Sequence, residues 1–252
     1  MPKASEINSY RLISFNKFIE RTSKHPQEIT IYRGVTHQAY DLRPKVGRLS
    51  LKIWRNDIPI DVEQRMLRRF QERAVFHLNP RPTDEWEWLT IAQHHGLPTR
   101  LLDWSRNPLV AAFFAVEREI QKWELRKHSG EFSGDSAVSV FRGKTVISRG
   151  NLSRMNKKYL AGPFKITKTE KFVPAHLDSR IVAQLGVFTI HHDPVEPYPL
   201  ELKDIDKLII PFAQRITWKK QLHRLGMNRA SLFPDLDNLS KYIEWDNTKS
   251  TS

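Results

Sequence analysis

Residues 92–117, AQHHGLPTRLLDWSRNPLVAAFFAVE, begin polar and end apolar, and this change of character constrains the chain more than any other feature. Pro108 is well placed at a helix start, and LVAAFFAVEREIQKW reads as one helix through Trp123. A helix whose first two turns are apolar all round has to be buried, so FFAV anchors it in the core. Ahead of it stand His94, His95, Arg100, Asp103 and Trp104, with Ser105 and Asn107 close to the helix start. A helix N-terminus presents unpaired N–H groups and a field that favours anions. The polar cluster therefore marks a candidate phosphate site set against a buried helix.

The remaining elements mix helix and strand. Residues 11–21 predict a short helix with Leu12, Ile13, Phe15, Phe18 and Ile19 on one side. Residues 29–34 predict a strand stopping at Gly34, and 35–60 an irregular segment punctuated by Pro44, Gly47 and Pro59. From Asp61 the clearest helical spacing runs through Val62, Met66, Phe70 and Ala74. A second helix follows over 85–96, with Asp84 as cap, Trp88, Ile91 and Ala92 buried, and Gly96 as stop. Residues 123–135 suit a surface loop. Strands are expected at SAVSVFRG (136–143), over Leu185, Val187 and Thr189, and at 208–210, and helices at 215–226 and 232–245. Helices come first and strands concentrate later, without the regular βαβ alternation of a doubly wound sheet. The expected class is α+β: one domain over 10–245, N-terminal helices, a mixed and split β-sheet, and flexible termini at 1–9 and 246–252.

Composition bounds the chemistry. The 252 residues are 39% hydrophobic, enough for a substantial core, and contain no cysteine, which excludes disulfides, thiolate catalysis and cysteine zinc sites. The formal charge of +13 favours anionic partners, whether a polyanion or an anionic substrate or cofactor, or serves solubility alone. No apolar run reaches the length of a membrane span, and MPKASEINSY lacks an apolar signal core, so the cytoplasm is the expected compartment. No GxxxxGK or GxSxG occurs. No close pair of carboxylates presents itself, and no metal is expected.

Three clusters remain as candidates. Arg33 ends an apolar strand, between Tyr32 and Gly34. A guanidinium so placed needs an anionic ligand or an internal carboxylate such as Asp103, and Gly34 would let backbone approach the bound group. Adjacent His94 and His95 point about 100° apart on a helix, so one of them serves a site as ligand clamp or proton carrier, or else bridges buried backbone. Arg100 lies in a loop after Pro98, as a second phosphate ligand, and Glu117 suits the surface. Gln184, beside Gly186, either contacts a ligand or ties a strand end to a loop.

The motifs together resemble the FRG domain family, named for a Phe-Arg-Gly motif. Tyr32, Arg33 and Gly34 stand for the first, with tyrosine in the first position; AQHHGLPTRLLDWSRNPLVAAFFA (92–115) and RIVAQLGVFTIH (180–191) are the second and third, and LGMNRASLFPDLDNL, from Leu225, is similar to the family's C-terminal part. The resemblance covers roughly 10–245 and implies a bacterial or phage setting, with toxin, defence or phage roles open. The motif order is more distantly similar to ADP-ribosyltransferases, which hold NAD in a cleft of a split mixed sheet. On that likeness Tyr32, Arg33, Gly34, Arg100, Trp104 and Ser105 would bind the nucleotide, and His94, His95, Asp103 and Gln184 would serve catalysis. The transferases' Ser-Thr-Ser element is missing, and where they have an acid this chain has Gln184, which leaves Glu201 or another carboxylate for that task. Two other readings stand beside the NAD or nucleotide enzyme. One is a nucleic-acid module using Lys and Arg at 142–171 and 215–229, with Trp or Tyr stacking on bases. The other is a protein-interaction or inhibitory domain.

Overall fold

The computed structural model describes residues 7–12, 14–49, 59–118, 134–144, 146–148, 160–174, 179–199 and 205–248. Its eight strands are β1 (Asn8–Arg11), β2 (Thr30–Val35), β3 (Leu101–Ser105), β4 (Ser136–Arg142), β5 (Val146–Ser148), β6 (Glu170–Val173), β7 (Gly186–Ile190) and β8 (Ile205–Ile210). They form one mixed sheet in the order β1-β8-β4-β2-β3-β7-β6-β5. The β1–β8 and β5–β6 pairs are parallel and the others antiparallel. The helices are α1 (Phe15–Ser23), α2 (Pro59–Ala74), α3 (Glu85–His94), α4 (Pro108–Val116), α5 (Ser179–Ala183), α6 (Arg215–Arg224), α7 (Arg229–Leu232) and α8 (Leu236–Thr248). The α+β class, the N-terminal helices and the mixed sheet are as the sequence predicts.

The sheet consists of two four-stranded halves joined at one point. β2 and β4 run side by side over six registered pairs, and β3 and β7 over five. Between β2 and β3 the register holds only Tyr32 opposite Ser105. Each half has its own cover on one face. Helix α4, with α1 and α6, packs on the β8-β4-β2 half through Phe15, Phe18, Val110, Phe113 and Trp218. Helices α2 and α3 pack on the other half through Leu67, Trp86, Leu89, Phe172 and Phe188. On the opposite face Ile31, Phe141 and Ile205 meet Leu102, Trp104 and Val187, so both halves share that layer of core.

Two sequence expectations are corrected here. The first is the loop expected after Pro98 around Arg100, where the chain instead forms β3. Its burial runs buried, buried, exposed, buried, buried, so a strand covered on both faces shows no alternation to read. The second is Arg100, which is no phosphate ligand in a loop. It is 1% exposed, its Nε donates to Glu63 Oε2 at 2.8 Å and its backbone N–H to Glu63 Oε1 at 2.6 Å, and its guanidinium lies over the Phe164 ring. Glu63 is fully buried in α2, so the pair clamps α2 to the start of β3.

Smaller departures follow local chemistry. Leu185 is a turn residue with φ of 46°, and β7 starts only at Gly186. The last predicted helix is two: Leu232 ends α7, Pro234 interrupts, and Asp235 Oδ1 caps α8 by accepting from Asn238 N–H at 2.8 Å. Strand β1 opens at Asn8, inside the stretch expected to be a tail, and α8 runs on to Thr248. Helix α4 ends at Val116; its predicted continuation through Trp123 passes outside the described residues, as do Ile13, Glu201, most of the 123–135 loop and part of the basic 142–171 segment.

Gly34 sits where β2 meets α4. A Cβ there would lie 1.8 Å from the Ala111 carbonyl oxygen and 2.7 Å from the Ala115 nitrogen. These are backbone atoms of a buried helix and cannot swing aside. Gly34→Ala should therefore destabilise the protein by about 3 kcal/mol or more, read as a lowered midpoint in urea unfolding; an unchanged midpoint would show that α4 can slide off the strand.

A buried polar chain lies behind β3. Trp104 Nε1 donates to Thr189 Oγ1 at 3.0 Å, leaving the Thr189 hydroxyl to donate to His191 Nε2, also at 3.0 Å. Burial, with the charges of Arg33 and Arg100 adding to it, drives the His191 pKa down to about 3, so its imidazole is neutral in the fold. Its unfolded value is about 6.5, so between these two values the unfolded chain binds the extra proton and stability rises with pH. Stability from this group is complete above the unfolded value and is lost as pH falls. Going from pH 7 to 5 should cost the wild type about 2 kcal/mol through this residue. His191→Gln should lack that component in urea melts at the two pH values, and an identical pH dependence in the variant would exclude His191 as its source.

Candidate functional site

A cleft of about 510 Å³ opens over the line where the two half-sheets part. Its walls are α4 on one side, through Val110, Ala111 and Phe114, and the end of α3 on the other, through Gln93 and His94. β2, β3 and β7 form its base, while α5 and Phe233 close one end. The size falls within the range of small-molecule sites, and the apolar walls with a few convergent polar groups are their usual make-up.

The structure brings Tyr32, Arg33, Gly34, His94, Asp103, Trp104, Ser105 and Gln184 to this one cleft from three distant segments. It does not bring Arg100, held by Glu63, or His95, which points into a different recess with Phe70 and Leu97. The divergence of the two histidines follows from their consecutive places at the end of α3.

Arg33 occupies the split itself. By strand alternation its side chain leaves β2 with Ile31, and its guanidinium turns into the gap, where Nη1 donates to the Asp103 carbonyl oxygen at 2.7 Å. The Asp103 carboxylate is further off, at 3.7 Å, and 59% exposed. Arg33 is therefore tied to β3 chiefly through the main chain. Its Nε is buried and makes no hydrogen bond among the described residues. Burial lowers its pKa, partly offset by Asp103.

Asp103 is oriented by a relay through Thr99 and Gln93 that no linear motif marks. Thr99 Oγ1 donates to Gln93 Oε1 at 2.6 Å, which turns the amide nitrogen toward Asp103, 3.2 and 3.0 Å from its two oxygens. The only trace in the sequence is a polar residue at the end of a helix. Glu117 was placed on the surface by the sequence; it lines the cleft instead, is 18% exposed and pairs with Arg229. Its position directly after an apolar helix was the available signal. Arg180, also in the wall, pairs with Asp235 at 2.7 Å and lies over the Phe233 ring.

Several predicted residues are committed to holding the cleft's shape. The Tyr32 hydroxyl shares a 3.0 Å hydrogen bond with His25 Nδ1, and burial pushes its pKa up to about 12. The void at Gly34 is filled by α4 backbone. Ser105 Oγ donates to the Gln184 carbonyl at 2.7 Å and accepts from Asn107 N–H at 2.9 Å. Gln184 Nε2 donates to the Leu232 carbonyl at 2.9 Å, tying the strand end to α7. At the α4 N-terminus Pro108 has no N–H, and Asn107 Oδ1 takes the Leu109 N–H at 2.9 Å. The cleft instead meets the middle of α4, and the cation facing it from the sheet is Arg33.

Among the described residues no three His, Asp or Glu side chains come together as metal ligands, and no helix is long and apolar enough to cross a membrane. No curated protein and no solved structure shows significant similarity to the chain. A family model matches residues 28–124, the segment that runs from the start of β2 past the end of α4 and carries Arg33, Gln93, His94, Asp103 and Glu117. Arg180, Gln184 and Phe233 lie beyond it. By that match the chain contains an FRG domain over residues 28–124.

Proposed function

We propose that the cleft binds an anionic nucleotide of the NAD class and that the protein cleaves its nicotinamide–ribose bond, passing the ADP-ribosyl group to an acceptor. The observation that carries this reading is Arg33: a guanidinium held in the sheet's split by one main-chain carbonyl, with a buried Nε lacking a partner, at the base of an apolar-walled cleft. A planar fork presenting N–H groups suits a pyrophosphate, and Val110, Phe114, Phe188 and Phe233 offer apolar surface for a base or nicotinamide ring.

Asp103 is the carboxylate suited to the chemical step. When the C1′–N bond breaks, the electron pair leaves with nicotinamide and positive charge develops on the ribose. A carboxylate fixed by Gln93 stabilises that charge without having to reorient. The acceptor's nucleophile then forms the new bond to C1′ and gives up its proton, for which His94 is the candidate on the cleft wall.

Arg33→Lys keeps the charge and loses the fork. NAD affinity by calorimetry should weaken by about 1–3 kcal/mol, while the melting temperature without ligand changes little. Asp103→Asn should leave NAD binding close to wild type and slow nicotinamide release, followed by chromatography, at least about 100-fold. If Arg33→Lys instead lowers apo stability and leaves affinity per folded molecule unchanged, Arg33 is a scaffold residue and the nucleotide reading fails.

A further inference from the structure

Helix α2 carries a second feature, separate from the cleft. Arg65, Arg69 and Arg73 recur at every fourth residue along its exposed side, with Arg68 beside them. Successive members of such a row stand about 6 Å apart along the axis. Among the described residues Arg68, Arg69 and Arg73 make no ion pair or hydrogen bond, so these three are not committed to holding the fold together. The row runs toward Phe76, which is 94% exposed. Alongside it lies an open apolar recess of about 640 Å³, lined by Met66, Phe70, Leu78 and Leu97 with the rings of His77 and His95, and rimmed by Arg69 and Arg73. No acidic side chain lines it.

We infer that this face of α2 is a binding track for single-stranded nucleic acid. Spaced guanidinium groups fit a row of phosphates. A bare phenylalanine and an apolar recess containing histidine rings offer stacking surfaces for unpaired bases. That combination, a cationic line beside aromatic platforms, is what sequence-tolerant single-strand binding requires. An acidic amphipathic peptide would use the recess but has no need of a cation at each turn, and the chain's net charge of +13 adds to the attraction for a polyanion. The basic segments named from the sequence, 142–171 and 215–229, lie elsewhere in the chain. The track and the cleft adjoin at the end of α3, where His95 faces the recess and His94, its ring centroid 5.0 Å away, faces the cleft. The inference does not rest on what the cleft binds.

The test is fluorescence anisotropy of the full chain with a labelled 15-mer of thymidylate over a salt series. The wild type should bind at low salt, with affinity falling as salt rises. Arg69→Glu/Arg73→Glu should weaken binding at least about 10-fold and flatten the slope of log affinity against log salt by about 1.4, two phosphate contacts at about 0.7 each. Phe76→Ala should weaken it about 5- to 150-fold, as for loss of one stacked base. All these side chains are exposed, and an unchanged melting temperature confirms each variant's fold. Arg224→Glu/Lys241→Glu, an equal charge change on α6 and α8, should have a much smaller effect. Absence of binding, equal weakening by the control pair, or capture of a glutamate-rich amphipathic peptide in preference to the oligonucleotide would overturn the assignment. NAD affinity is measured on the same variants, so a failed cleft and a failed track give different results.

Discussion

The architecture depends on how two half-sheets are held together where their strands no longer pair. Hydrogen bonds from His191 N–H to the Arg100 carbonyl and from Arg106 N–H to the Leu185 carbonyl mark the rungs that β3 shares with β7. The alternation of an antiparallel ladder then turns the Asp103 main chain toward β2. With β2 in register at Tyr32 and Ser105 alone, that carbonyl would be left without a strand partner. Arg33 supplies one, at 2.7 Å. A guanidinium across the gap thus takes the place of a strand N–H and lets the sheet stay open there. The bond that stabilises the split also delivers a positive charge to the cleft that the split creates.

The surrounding packing keeps the opening where it is. Gly34 lets α4 lie directly on β2, and Asn107 and Ser105 fix the turn by which the chain leaves β3 and enters α4. On the far side, Glu63 and Arg100 bind α2 to β3 in a fully buried pair. Breaking such a pair leaves an uncompensated charge in the core, which makes it a strong constraint on geometry whatever its net contribution to stability. The shared core of Ile31, Phe141, Leu102 and Trp104 closes the opposite face, so the cleft opens on one side of the sheet.

Much of the candidate site was legible in the sequence. Arg33, Arg100, Asp103 and Gln184 each join a polar group to an apolar element able to bury it, and the fold brings all but Arg100 to one cleft. The failures have definite causes. β3 carries Leu101, Leu102 and Trp104 into cores on both faces, so its pattern looks like a loop with some large residues. Arg100 and Arg33 are both arginines beside strands, and only the fold reveals that Glu63, 37 residues earlier, neutralises the first. Glu117 and Gln93 acquire their places from tertiary contacts with Arg229 and Asp103, for which linear spacing gives no sign.

Hydrogen exchange on the wild-type protein with and without saturating NAD, followed by peptide mapping, reads directly whether a ligand enters the split. Exchange should slow in peptides covering 32–36, 103–106 and 180–186, which meet at the split, and change little over α1 and β8. Unchanged exchange at those three segments, or protection confined to a surface remote from Arg33, would contradict ligand entry at the split.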